Sequence, residues 1–411
     1  MTRCLLLPVF IGLALTLAPA TRADDDEEPT FLDKKLSHWL DQLANGKETK
    51  DRLRGLVAVE QIGHEGSRKV VPALAKAMRE DREEQVRARA ARAVGRSVAR
   101  ALKQARDDKK ETLPRFDDAR DELIVALRTD KSDAVKEAAA VAIGDVASDF
   151  RGAVGALALA LKDKNAATVT AAATALRRMG KDAREAEPEL LALAGNKDAD
   201  LTARVESVVA LGTIRADVPA DLPTLRAVLA DPKNDLRLRK AAAETLGKWG
   251  KESADAAPTL AAVLLEKESK VELRLAAVNA IMHVGPDASK AVPALIAAVA
   301  DEDRFVRCLA LQTIVKMGEV LEDQRKPAVK AMLKATEDSI IEVAVTAVES
   351  LGALSQVGGL ADLKADVLKR LSDIDKRDGR KALREASANA RAKIEGKEKK
   401  DKDKEKDKDK D

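Results

Sequence analysis

The chain has 411 residues, with 73 Lys and Arg against 70 Asp and Glu, 45% hydrophobic residues, 35% charged residues, 2% aromatics and no Tyr. That length holds several ordinary domains or one long repeat array. Apolar content this rich in Ala and Leu, set among so many charges, fits long helices packed through small residues. It excludes a β-sandwich or an aromatic-lined pocket.

Residues 1–23 read as an export signal. Arg3 supplies the positive start, Leu5 to Leu17 is an uncharged apolar run, and small-residue cleavage sites end at Ala20 or Ala23. The run is short for the alternative, a retained membrane anchor. Cys4 precedes the apolar run, which does not suit lipoprotein acylation. No later segment is apolar enough to cross a bilayer, so the mature chain is expected in the periplasm, at the cell surface or secreted, with no transmembrane segment after cleavage. Cleavage leaves Cys308 as the one cysteine, hence no internal disulfide. Its apolar helical surroundings predict a buried, inert thiol.

Residues 24–35 form an acidic linker that opens with Asp24 to Glu28. From residue 36 to 371 the pattern is a repeat array. Leu36, Trp39, Leu40 and Leu43 make a short apolar stripe, a lone helix closed by the Trp as a packing plug. Equivalent register positions then fall at Gly63, Gly95, Gly144, Arg177, Gly212, Gly247, Met282, Val315 and Gly352, spaced by 32, 49, 33, 35, 35, 35, 33 and 37. A second glycine follows three residues later at Gly66, Gly180, Gly250, Gly285 and Gly318, and Pro72, Pro188, Pro223, Pro258, Pro293 and Pro327 open second helices. Glycine enters positive φ without steric cost and proline suits a first helical turn, so each repeat reads as helix, turn, helix, acidic turn. One pair cannot bury its own apolar stripe and must stack on neighbours. The fold class is all-α: a right-handed α-solenoid of about nine stacked antiparallel helix pairs, closed by a capping helix over 372–396.

The 49-residue spacing marks an extended helix and linker over about 84–116. Between Gln85 and Arg106 there are seven basic residues and no acid. Arg89, Arg92, Arg96, Arg100 and Lys103 recur at helical spacing opposite the apolar face, a candidate partner-binding stripe for an acidic protein segment or another anionic macromolecule. Its bland counterpart is a solvated face paired with acids such as Asp117, Asp118 and Asp121. The tail 397–411 holds eight Lys and seven acids and nothing apolar, so it is expected to be disordered. Setting leader and tail aside leaves 63 charges of each sign, a neutral body unlike that of a general nucleic-acid binder.

Catalytic groups are sparse. His38, His64 and His283 stand far apart, no His-x-x-x-His or Cys-x-x-Cys spacing exists, and the acids at Asp231, Asp301 to Asp303, Glu337 and Asp338 sit between helices, where capping accounts for them. Asp303 with Arg307 and Asp235 with Arg239 repeat an i,i+4 spacing expected to form a ladder within and between repeats. Catalytic, metal and cofactor sites are therefore assigned to no residue.

The segments VVPALAKAM, APTLAAVLL and AVPALIAAV, each after an alanine-rich helix, resemble HEAT repeats, and more narrowly the short HEAT-like repeats named after phycobilisome lyases. The resemblance spans roughly residues 36 to 371. It implies a helical solenoid; such repeats serve scaffolds, adaptors and lyases alike. The reading that follows is an exported, monomeric, non-enzymatic scaffold. Its alternatives are a bilin lyase or isomerase, by the resemblance, and nucleic-acid or polyanion binding through the stripe from Arg89 to Lys103.

Overall fold

The repeat grammar folds into two layers of helices. The structure, a computed structural model, describes residues 28–62, 67–147, 149–357 and 360–396. The leader 1–23, residues 24–27, Gly63, His64, Gly66, Gly358, Gly359 and the tail 397–411 lie outside the described residues. Residues 28–35, expected as linker, fold back as a hairpin in which β1 (Thr30–Phe31) pairs antiparallel with β2 (Lys34–Lys35). Leu32 and Asp33 take φ of 49° and 58°, the two positive values a tight type I′ turn requires. The hairpin closes on α1 (Leu36–Asn45), where buried Trp39 donates its Nε1–H to Phe31 O at 3.0 Å.

Nine pairs follow. The first are α2 (Thr49–Ile62) with α3 (Ser67–Glu80), α4 (Glu84–Asp107) with α5 (Asp117–Thr129), and α6 (Asp133–Asp145) with α7 (Val154–Ala160). Next come α8 (Ala166–Met179) with α9 (Glu187–Gly195), α10 (Leu201–Ile214) with α11 (Val218–Ala230), and α12 (Leu236–Trp249) with α13 (Ala257–Leu264). The last are α14 (Val271–Val284) with α15 (Val292–Ala298), α16 (Arg304–Lys316) with α17 (Arg325–Ala335), and α18 (Ile341–Gln356) with α19 (Lys364–Arg377). Then α20 (Lys381–Glu395) closes the array. Even-numbered helices stack on one another as one layer and odd-numbered helices as the other. Leu211, Leu246, Ile281, Ile314 and Leu351 of the even layer and Leu225, Leu260, Leu295 and Val329 of the odd layer are fully buried and recur at the repeat period.

The turns are set by glycine and acid. Gly180, Gly250 and Gly285 adopt φ of 56°, 59° and 74°, which stops α8, α12 and α14 and starts the 3-10 turns Gly180–Ala186, Gly250–Ala256 and Gly285–Ala291. Pro188, Pro258 and Pro293 then sit in the first turn of the next helix. Pro72 and Pro223 do not open helices, because α3 and α11 already begin upstream of them. Within the even layer the register glycines permit close approach. A Cβ on Gly95 would lie 2.7 Å from Ala142 Cα, and one on Gly144 or Gly247 would lie 3.0 Å from Ala175 or Ala280 Cα.

A ladder of basic side chains ties successive repeats. The fourth residue of eight even helices is basic: Arg52, Arg87, Lys136, Arg204, Arg239, Arg274, Arg307 and Arg384. Arg274 shows the device. Its Nε and Nη2 each lie 3.0 Å from the carboxylate of Asp301, in the turn before the next even helix. Asp301 Oδ1 also accepts the backbone N–H of Asp303 at 2.9 Å, so one carboxylate shapes its own turn and receives the preceding repeat. Arg52 with Asp81, Arg87 with Asp130 and Lys136 with Asp163 repeat the arrangement at 2.6, 2.8 and 2.9 Å, and Arg307 Nε lies 2.9 Å from Asp338. The guanidinium also holds its own turn: Arg87 and Arg307 donate to the carbonyls of Asp81 and Asp301, six residues back, at 3.0 and 2.9 Å.

This corrects the i,i+4 expectation. Asp303 and Asp235 cap their helices, accepting from Phe305 N and Arg237 N at 2.9 and 2.8 Å, while Arg307 and Arg239 reach forward to Asp338 and Glu266. Three positions differ. In α8 and α18 they are Val169 and Ala344, and Arg204 of α10 meets an amide, Asn234 Oδ1 at 3.3 Å, instead of a carboxylate.

Two stability measurements follow. Gly95→Ala is expected to cost about 1–3 kcal/mol by forcing α4 from α6, whereas Gly155→Ala, where the added Cβ meets nothing within 4 Å, is expected to be neutral or stabilising by under about 1 kcal/mol; equal effects in urea melts would contradict the close approach. Arg274→Ala strands Asp301, a carboxylate with an 11% exposed side chain, and is expected to cost about 3 kcal/mol. A loss below about 0.5 kcal/mol would show that the clamp contributes nothing.

Candidate functional site

The helix that breaks the period is α4, at 24 residues where the other even helices have 13 to 16. Its apolar face carries buried Val86, Val94, Val98, Leu102 and Ala105, which holds the helix on the stack beyond the point where other repeats turn. The opposite face places Arg89, Arg92, Arg96, Arg100 and Lys103 in one exposed ridge on the even layer. The structure brings all five together, yet it does not leave them equal.

Arg92 Nη2 lies 2.9 Å from Glu137 of α6, and Arg96 Nε lies 2.7 Å from Glu60 of α2. Arg100 Nη1 donates to the Glu60 carbonyl at 2.9 Å. Arg89 and Lys103 have no partner among the described residues. The acids expected opposite the ridge do not face it: Asp117 and Asp121 both bind Arg120, at 2.7 and 2.9 Å. The compensating carboxylates come from the flanking even helices because the ridge points along the layer, away from the linker. Glu60 and Glu137 were not anticipated. Their signal was present, since each lies on the stacking face about forty residues from its arginine (|i−j| of 45 for Arg92 and Glu137).

Beside the ridge, a groove of about 470 Å³ runs between α6 and α8, with Val141, Ala171 and Ala175 in its walls and Thr170, Thr174 and Glu137 also lining it. A larger hollow of about 1190 Å³ lies between α3, the end of α4, the linker 108–116 and α5, where Leu113 is exposed. Its lining mixes both charge signs: Lys76, Arg79 and Arg115 with Asp108, Asp117 and Glu122.

The remaining candidates for chemistry are isolated. His38 stacks edge-on against Trp39 with centroids 5.0 Å apart, and His283 Nδ1 lies 2.7 Å from the Asn279 carbonyl in its own helix. Among the described residues no cluster of three His, Cys, Asp or Glu is placed to hold a metal ion. Cys308 is half-buried, not buried as expected, because it sits at the layer edge of α16 beside half-buried Leu309.

One buried acid stands out. Asp221 of α11 is fully buried, and its carboxylate meets no donor, only the Glu187 carboxylate. The same position in other repeats holds the buried alanines Ala186, Ala256 and Ala291. Burial, then the neighbouring carboxylates of Glu187 and Asp217, push its carboxyl up to about 7.

A profile of HEAT repeats matches residues 234–315 and 257–349, the stretch from α12 to α18. No curated protein matches the chain. Among solved structures, that of Kap121p superposes with a TM-score of 0.56 at 13% identity, covering 87% of this chain and 41% of Kap121p. Kap95p in its complex with Nup1 gives 0.53 at 14% identity over 90% and 52%, and importin beta gives 0.51 at 14% identity over 87% and 57%. The chain spans about half the length of these structures. Residues 234–349 thus resemble HEAT repeats, and the two-layer stack described above is an all-α solenoid.

The raised carboxyl fixes the sign of a pH dependence. The unfolded chain ionises near 3.8 and the folded site near 7, so this group lowers stability progressively as pH rises between those values and fully above them. Asp221→Asn, which supplies an N–H to Glu187, is therefore expected to raise the melting temperature at pH 8 and change it little at pH 4. A gain that is equal at both values would contradict a protonated Asp221.

Proposed function

We propose that this protein is an exported, non-enzymatic scaffold that binds a partner protein along the even layer of its solenoid. The observation that carries the reading is the exposed even face around α4, where Arg89 and Lys103 have no partner among the described residues and a lined groove begins at Glu137, the partner of Arg92. The Gly–Ala approach of the even helices supports placing that layer on the inner side of the curve, since the more closely spaced layer of a stack is the shorter one. Extended solenoid faces spread affinity over several repeats. The solved relatives point the same way, as Kap95p is seen in complex with Nup1. The apolar run from Leu5 to Leu17 supports export.

Cross-linking of the mature protein in the envelope fraction, read by mass spectrometry, tests this. The expected outcome is one recurrent partner whose cross-links map to exposed side chains of α4 to α8. Cross-links scattered over the odd layer, or found only within the chain, would overturn the scaffold reading. Sequencing of the mature N-terminus should give Thr21 or Asp24, and an intact Met1 would remove cleavage.

A further inference from the structure

We infer that the α4 ridge and the α6–α8 groove together take an extended acidic segment of a partner protein, one that carries an apolar residue beside its acids. The inference rests on the scaffold reading and narrows it to a ligand chemistry.

Charge comes first. The ridge places five cations over the fifteen positions from Arg89 to Lys103, about 21 Å of helix. Glu137 and Glu60 compensate Arg92 and Arg96. Arg89, Arg100 and Lys103 keep their charge, since Arg100 is bound only to a carbonyl. Like charges stacked along one helix face oppose its formation, and an anionic ligand removes that cost.

Spacing comes second. Successive ridge residues, three or four apart, rise about 4.5–6 Å along the axis. Side chains on one face of an extended chain recur every ~6.6 Å. A strand-like segment of about seven residues with acids at alternate positions therefore spans the ridge and sets about four carboxylates against its cations.

The groove supplies the third element. Glu137 joins the two features, pairing with Arg92 on one side and lining the groove on the other. Val141, Ala171 and Ala175, with Thr170, Thr174 and Arg178, line an open groove of about 470 Å³, room for one Leu- or Phe-sized group. A nucleic acid fits less well: the walls offer apolar surface and no aromatic ring on which a base stacks.

The test uses full-length mature protein and a fluorescein-labelled peptide of about eight residues, with Glu at alternate positions, one central Leu and no basic residue. Fluorescence anisotropy is expected to show saturable, salt-sensitive binding. Arg89→Glu with Lys103→Glu should weaken it at least about tenfold, and Thr174→Trp, which fills the groove, should weaken it for the Leu peptide but not for its Leu-to-Ser counterpart. Arg89 and Lys103 have no partner among the described residues, so that variant's melting temperature should hold, while Thr174→Trp gives up a 3.3 Å hydrogen bond to Glu206 and is judged by the difference between its two peptides; Arg89→Lys with Lys103→Arg should retain binding. Absence of binding, equal affinity in the charge-reversed variant, or equal competition by a single-stranded oligonucleotide of the same charge would overturn the inference. Envelope cross-links that persist in the charge-reversed variant would leave the scaffold standing and sink the acidic segment. Absence of any cross-linked partner in the wild type would count against the scaffold instead.

Discussion

The structure depends on a carboxylate used twice. In the turns before α4, α6, α8, α16 and α18, Asp81, Asp130, Asp163, Asp301 and Asp338 each accept a backbone N–H two residues on and shape the turn. The same group accepts a guanidinium or ammonium from the preceding repeat. Turn geometry and inter-repeat spacing are thereby set by one side chain. A buried pair of this kind adds little net energy against an apolar alternative, yet leaving either partner alone is costly. Its value is registration: helices with smooth Ala-rich faces slide easily, and a forked donor on a fixed carboxylate does not.

Much of this was legible in the chain. Helix existence, the two-helix repeat and the glycine stops follow from periodicity and from backbone regions that only glycine enters cheaply, and they are local properties. What the sequence pattern misassigned was the partner of each charge. Asp303 and Arg307 are neighbours on a helical wheel, so proximity along the chain suggested a pair. The actual partner, Asp338, lies one repeat ahead, and stacking alone brings it near. The signal lay in a six-residue spacing, as in Asp81 to Arg87 and Asp301 to Arg307, which recurs because the arginine must span its own turn to reach the next.

The ridge on α4 shows the same limit. Its five cations were visible as a stripe, but which of them are spent inside the fold was not. Glu60 and Glu137 sit on separate helices and reach the ridge only through layer stacking. Likewise Asp221 reads as one acid among many, and becomes unusual only beside the alanines that fill its position elsewhere.

The irregular rungs at α8 and α10 have a mechanical meaning. From α2 to α8 and again from α12 to α18, each turn is tied to the next by a charged pair at the fourth helical position. Between them Val169 offers no such tie and Arg204 meets an amide, and more exposed pairs, Arg177 with Glu206 and Lys197 with Asp231, stand in. Exposed pairs hold less than buried ones, so these two junctions are held more loosely than the clamps on either side. The basic ridge lies on one side of them and the stretch that matches the HEAT profile on the other. A tilt at these junctions would change the reach of the even face while leaving every repeat intact.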